Sequence, residues 1–144
     1  MSETLTKEMQ TVVFALGKEE YGIDISKVQE IIRLPEITKL PNTADYILGI
    51  INLRGNIIPV LDPKKKFLGA VSEYGEEARV VVVETGSARM GLVVDLVSEV
   101  RKLPPGSVVS PDSLGTGIHK EYLLGIVKLD QRLLILLDVD KVFN

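Results

Sequence analysis

The side chains able to do chemistry are few, and they are scattered. The one histidine, His119, lies in a Gly-rich stretch with no nucleophile motif and no orienting carboxylate near it in sequence. A general base needs such partners, so His119 reads as an exposed loop residue. Asp24, Asp62, Asp95 and Asp138 fall at the ends of predicted strands or helices, where capping and turn roles account for them. With no cysteine, disulfides and thiolate metal sites are excluded, and no carboxylate run has EF-hand spacing. Neither phosphate-binding glycine motif occurs, since Gly115-Thr116-Gly117 lacks the rest of one. The expectation is no catalytic residue, no metal and no cofactor. Arg54 is different. It sits beside Gly55 at a predicted hairpin tip, where its planar fork can be offered to a carboxylate. That carboxylate is either internal, bracing the fold, or on a partner.

The element that positions Arg54 occurs twice. Tyr46 to Phe67 reads as two short strands joined at Arg54-Gly55-Asn56, then a short helix with Asp62 as N-cap, Pro63 in the first turn and Gly69 as its stop. Tyr122 to Phe143 aligns with it without a gap. Identities fall at Tyr46/Tyr122, Leu48/Leu124, Gly49/Gly125, Ile50/Ile126, Leu53/Leu129, Asp62/Asp138, Lys65/Lys141 and Phe67/Phe143. Asp138 is expected to cap a last short helix. Arg54 has Asp130 as its counterpart, so the repeat does not demand a base at that tip. Upstream, Val12–Ile31 resembles Val81–Val100 through Gly22/Gly91, Val28/Val97 and Glu30/Glu99. One unit of hairpin, connection, hairpin and short helix is thus written twice, which makes a duplicated domain rather than a solenoid.

Short strands at close spacing predict an all-β architecture with few short helices. Two small barrels side by side would remove most open edges. Each half is too small for a large core of its own, so the interface between halves is expected to be apolar. The 144 residues form one domain of two subdomains, about 10–70 and 79–144, with residues 1–8 as a frayed tail. Ser26-Lys27-Val28-Gln29 fits a capping box and predicts a helical turn over 27–32 with Val28, Ile31 and Ile32 on its apolar face. That face is either core or a docking surface. Val93 to Val100 has no such cap and is predicted to be extended. Leu103 to His119, rich in Pro, Gly and Ser, reads as a long surface loop.

Composition narrows the function classes. Hydrophobic residues make up 45% and charged residues 26%, ordinary for a globular chain, and no apolar run is long enough to span a bilayer. The polar start lacks the apolar segment of a signal peptide, which predicts a cytoplasmic protein with no direct membrane insertion. A net charge of −3, 5% aromatics and no Trp argue against nucleic acid as a partner. The one basic run, Lys64-Lys65-Lys66, reads as a solvated helix face rather than a phosphate-binding patch. The residues alone point to a binding module, with a small-ligand-binding or enzymatic β-barrel as the alternative.

The stretch ILGIINLRGNIIPVLDPKKKF resembles the signature of the CheW family of chemotaxis coupling proteins, with Gly49, Asn52, Leu53, Arg54, Gly55, Pro59, Val60 and Asp62 in register. FALGKEEYGIDISKVQEI and YLLGIVKLDQRLLILLD are similar to the same family, so the likeness runs from about Thr11 to Phe143. Pro63-Lys64 departs from the usual Leu-Arg and should alter only the helix start. The resemblance implies two SH3-like five-stranded barrels and a non-catalytic adaptor between chemoreceptor cytoplasmic tips and the histidine kinase CheA, in arrays beneath the membrane. It implies receptor contacts at Val28, Glu30, Gly49, Arg54 and Arg79, with Ile31 joining them on the apolar face. Kinase contacts are expected at the hairpin tip, at Asn52, Gly55, Asn56 and Ile57. The length leaves no room for a fused receiver or kinase domain, so a stand-alone adaptor is expected.

Overall fold

The computed structural model describes residues 8–69, 73–86, 88–109 and 120–142. Eleven strands and two short helices appear among them: β1 (Met9–Leu16), β2 (Glu19–Asp24), β3 (Val28–Arg33), β4 (Ile47–Leu53), β5 (Asn56–Leu61), α1 (Pro63–Leu68), β6 (Arg79–Thr85), β7 (Ala88–Val94), β8 (Leu96–Leu103), β9 (Val108–Val109), β10 (Leu123–Leu129), β11 (Arg132–Leu137) and α2 (Val139–Val142). The expected frayed tail lies almost wholly outside the described residues, as do His119 and Gly115-Thr116-Gly117.

The strands form two sheets, and the sheets do not follow the halves of the sequence. One has the order β3-β6-β7-β5-β4, the other β8-β1-β2-β11-β10-β9. Each repeat gives its first hairpin to the other's sheet. In the first barrel β7 runs parallel to β5, with Val60 opposite Gly91. In the second β2 runs parallel to β11, with Leu136 opposite Gly22. The subdomains expected at about 10–70 and 79–144 are therefore repeat units of the sequence, whereas each barrel takes strands from both. A lone unit would leave the inner faces of its strands unpaired and wet, so exchange of hairpins is how each unit completes a core.

Each ring is drawn closed at a glycine. Thr38 and Ile50 exchange backbone hydrogen bonds of 2.9 and 2.8 Å, which joins the segment after β3 to β4. At the equivalent place Val109 of β9 lies opposite Ile126 of β10. Gly49 has φ +148°, and a Cβ there would lie 2.1 Å from the Thr38 carbonyl oxygen; a Cβ on Gly125 would lie 2.7 Å from that of Val109. Only glycine permits these approaches.

The capping turn predicted over 27–32 is a strand instead. Asp24, not Ser26, does the capping, accepting from the Ser26 N–H at 2.9 Å, and the 3₁₀ turn ends at Lys27. The β-branched residues beyond it pair with β6. A bulge at Gln29 places Val28 opposite Val83 and Ile31 opposite Val81, while Glu30 and Ile32 oppose Val82 and Val80 on the other face. No single apolar face holds Val28, Ile31 and Ile32. β8 is extended as expected and carries the matching bulge, between Glu99 and Val97 opposite Val13 and Phe14. The loop expected from Leu103 to His119 contains β9.

Three clusters fill the interior. Ile51, Ile58, Val60, Val80, Val82 and Val93 fill the first barrel. Val13, Leu103, Val108, Val127, Leu134 and Leu136 fill the second. Between the barrels lies the largest cluster, with Phe14, Tyr21, Leu61, Phe67, Leu92, Ile135 and Val142 among its members from both repeats, which is the apolar interface the sequence predicts. At about 1.5–3 kcal/mol for each large side chain fully buried, this layer binds the halves firmly. Asp62 caps α1 as expected, accepting from the Lys65 N–H at 3.2 Å, and Gly69 ends it at φ 64°. Asp138 accepts from the Asp140 N–H at the start of α2.

Candidate functional site

The candidate site lies at the open end of the first barrel. Arg54 and Gly55 have φ of 53° and 86°, so both central residues of the β4–β5 loop are left-handed, as a type I′ hairpin requires. Gly55 adopts this freely, but an arginine there is strained. The Asn52 side chain braces the loop by accepting from the Gly55 N–H at 2.9 Å.

From this tip the Arg54 guanidinium reaches Glu30 on β3. Its two terminal nitrogens donate to the two carboxylate oxygens, at 2.5 and 3.0 Å. The bidentate geometry is the strong form of such a contact. Closure of the ring at Thr38 and Ile50 brings β3 and β4 close enough for it. Hydrogen bonding to Glu30, with that residue's charge, holds the guanidinium above its already high ordinary range. Arg54 nevertheless remains 72% exposed, and Glu30 22%. An ion pair so exposed stabilises a fold little. The arrangement fixes a planar cation in one orientation and leaves it open to a partner.

The other expected contact residues divide. Asn52, Gly55, Asn56 and Ile57 are all exposed around the tip, with Ile57 the most exposed large apolar side chain among the described residues, at 61%. Ile57 pairs with Asn52, and the inward-facing pair beside them is Ile51 and Ile58, so the pleat puts Asn52 and Ile57 on the outer face. Ile31 is exposed on the outside of β3. Val28 packs against the layer between the barrels and is only partly accessible. Gly49 is buried in the ring closure, where its missing side chain lets the ring shut. Arg79 is not part of this cluster. It pairs with Arg33, three residues along β3 from Glu30 and about 10 Å away at the rise of a strand. Its guanidinium donates to the Glu76 and Ala78 carbonyls at 3.0 and 2.8 Å.

Sequence reasoning missed two features. Lys66 of the basic run is not simply solvated: it lies over the Tyr46 and Tyr122 rings at 4.7 and 5.4 Å and donates to the Val142 carbonyl. Burial pushes its amine below the ordinary range. The second is a charge cluster on the other barrel, where Arg132 lies 3.4 Å from Glu20 and 3.5 Å from Glu99. The identity of Glu30 and Glu99 in the repeat was the available signal. Among the described residues, no group of three or more His, Asp or Glu is placed to hold a metal, and no helix is long and apolar enough to cross a membrane.

A family model described as the CheW-like domain matches residues 10–144. The chain belongs to the CheW family. The chemotaxis protein CheW of Klebsiella aerogenes is 40% identical over 142 residues, covering 99% of this chain and 84% of that protein. That of Treponema pallidum is 35% identical, covering 96% of this chain and 84% of the relative. A solved structure of the scaffolding protein TtCheW from Thermoanaerobacter tengcongensis superposes with a TM-score of 0.88 at 36% identity, covering 100% of this chain and 93% of that one. CheW proteins are chemotaxis coupling adaptors, and this chain is one of them. Its two sheets are the paired SH3-like barrels that the resemblance implied, one of five strands as expected and the other of six, with β9 the added strand.

Proposed function

We propose that the chain is a non-catalytic adaptor that binds the helical-hairpin tips of chemoreceptors and the CheW-like regulatory domain of the histidine kinase CheA, in the cytoplasm at receptor arrays. In this reading the Glu30–Arg54 fork faces the receptor, with Ile31 and Val28 contributing from the opposite face of β3. Asn52, Gly55, Asn56 and Ile57 face the kinase from the same hairpin. Gly49 serves the receptor side indirectly, through ring closure. Arg79, set apart at the far end of β3, is a peripheral receptor contact at most.

The observation that carries the reading is the fork itself. A strained turn residue is held by a bidentate carboxylate, yet its charge is left exposed, where it adds little to the fold. Strain kept at an exposed cation points to recognition. The pleat supports two partners, because the inner edge of the tip and the outer Asn52–Ile57 face can be occupied together. The test is a pair of calorimetric titrations, with a receptor cytoplasmic-tip fragment and with the CheA regulatory domain, followed by a ternary mixture. Binding of each partner with the other already bound is expected. Failure of the folded protein to bind either overturns the proposal and favours the ligand-binding alternative.

A further inference from the structure

The contacts that join the two repeat units carry a charge pattern that distinguishes one unit from the other. Lys64 on α1 pairs with Asp95, between β7 and β8, at 2.9 Å, and both are largely covered, with side chains 11% and 24% exposed. The twofold-related contact pairs Asp140 on α2 with Lys27, between β2 and β3, at 3.4 Å, and it is open to solvent, with side chains 54% and 42% exposed. Lys64 and Asp140 are counterparts in the repeat, and Lys27 is one residue past the counterpart of Asp95. The same two places on the pseudo-twofold thus hold opposite charges. The first unit carries the cations at both, and the second carries the anions at both. Lys66 extends the pattern, since it sits over Tyr46 and Tyr122 and caps the carbonyl of its own counterpart, Val142.

We infer that these residues are a pairing code that admits the other half of the chain and rejects a second copy of the same half. Because the units exchange hairpins, a repeat could complete its core with an identical unit from another molecule. Pairing first unit with first unit would set Lys64 against Lys27 and place two Lys66 ammoniums against one pair of tyrosine rings. Pairing second with second would set Asp95 against Asp140. Both joints meet like charges in place of ion pairs, and specificity between near-identical surfaces comes from such repulsion. The apolar layer adds a difference of size rather than of sign, with Phe14 and Tyr21 in the first unit where the second has Val83 and Met90. The partner each unit surface fits is therefore the oppositely charged unit of its own chain, and the partner it excludes is its own likeness in a neighbour.

The test separates the code from the ion pairs that compose it. In a Lys66→Val background, Lys27→Asp with Asp140→Lys keeps both native ion pairs but makes every like-with-like pairing attractive as well. Adding Lys64→Asp and Asp95→Lys inverts the whole code and restores discrimination. Each full-length protein is unfolded in urea, refolded at high concentration and sized by light scattering, with circular dichroism confirming the fold. The dimer fraction should be low for Lys66→Val alone, about tenfold higher with the one pair reversed, and low again with both reversed. Should the first reversed pair impair folding, Lys64→Asp with Asp95→Lys alone makes the same charge exchange, at the loss of the hydrogen bond that Asp95 accepts from the Gly17 N–H. A single reversal that leaves the dimer fraction at the level of Lys66→Val overturns the inference, and so does a double reversal that fails to bring it back down.

Discussion

The two barrels present the same hairpin in different ways. At the first, the acid Glu30 is met by an arginine on the turn itself, gripped through two hydrogen bonds and open to solvent. At the second, the equivalent acid Glu99 is met by Arg132, the first residue after the turn, which also approaches Glu20. The second turn holds Asp130 at φ 51°, almost the same backbone angle as Arg54 at 53°. Aspartate tolerates that region better than arginine. The fold therefore needs neither an arginine at the tip nor a carboxylate clamp upon it. Even the apolar neighbours match, since Ile57 and its counterpart Leu133 are 61% and 57% exposed. What separates the tips is charge and how firmly it is held. The lesson is that duplication supplies two exposed hairpins, and the position of one arginine makes them different.

The largest effects should fall on the ring closures. Gly49→Ala forces a Cβ onto the Thr38 carbonyl at a φ that disfavours side chains, and should cost about 3 kcal/mol or more in urea unfolding. Gly125→Ala meets Val108 and the Val109 carbonyl without that φ, and should cost about 2 kcal/mol. Equal losses would show that contact alone, not backbone conformation, separates the two closures. A smaller effect concerns the exchanged hairpins. Tyr21 of β2 is wholly buried, whereas its counterpart in β7 is Met90, which does not titrate. Burial, followed by the charge of Glu19 and a hydrogen bond to it, pushes the Tyr21 phenol well above its ordinary value. The folded protein then keeps a proton that the unfolded chain gives up above pH about 10. This contribution is fully present below that pH and is lost progressively as the pH rises from there toward the higher folded value. Tyr21→Phe should flatten the fall of the urea midpoint between pH 8 and 11; an unchanged slope would assign the alkaline loss elsewhere. The smallest effects belong to the tip cations. Arg54→Ala and Arg132→Ala should each move the thermal midpoint by under about 2 °C, because exposed ion pairs stabilise little. A larger drop for Arg54→Ala would make the fork a brace of the fold.

Much of this was legible in the sequence because it depends on local chemistry. Asp62, Pro63 and Gly69 fix a short helix through groups within a few residues, and Arg54-Gly55 marks a turn. The repeat announced two barrels and an apolar layer between them. The exchange of hairpins was not legible, since a duplicated pattern reads the same whether each unit folds on itself or on the other. At Val28–Arg33 a local capping signal favoured a helix, but pairing with β6 and the β-branched side chains prevailed. The grip of Glu30 on Arg54 was hidden for a related reason. Twenty-four residues separate them, and only the closure at Gly49 brings β3 beside the β4–β5 turn.

The most direct measurement is the affinity of a receptor cytoplasmic-tip fragment for the wild-type protein, Arg54→Ala and Arg132→Ala in parallel, each shown to be folded. The account predicts at least about tenfold weaker binding for Arg54→Ala and wild-type affinity for Arg132→Ala. Equal losses at both tips, or wild-type binding by Arg54→Ala, would contradict it.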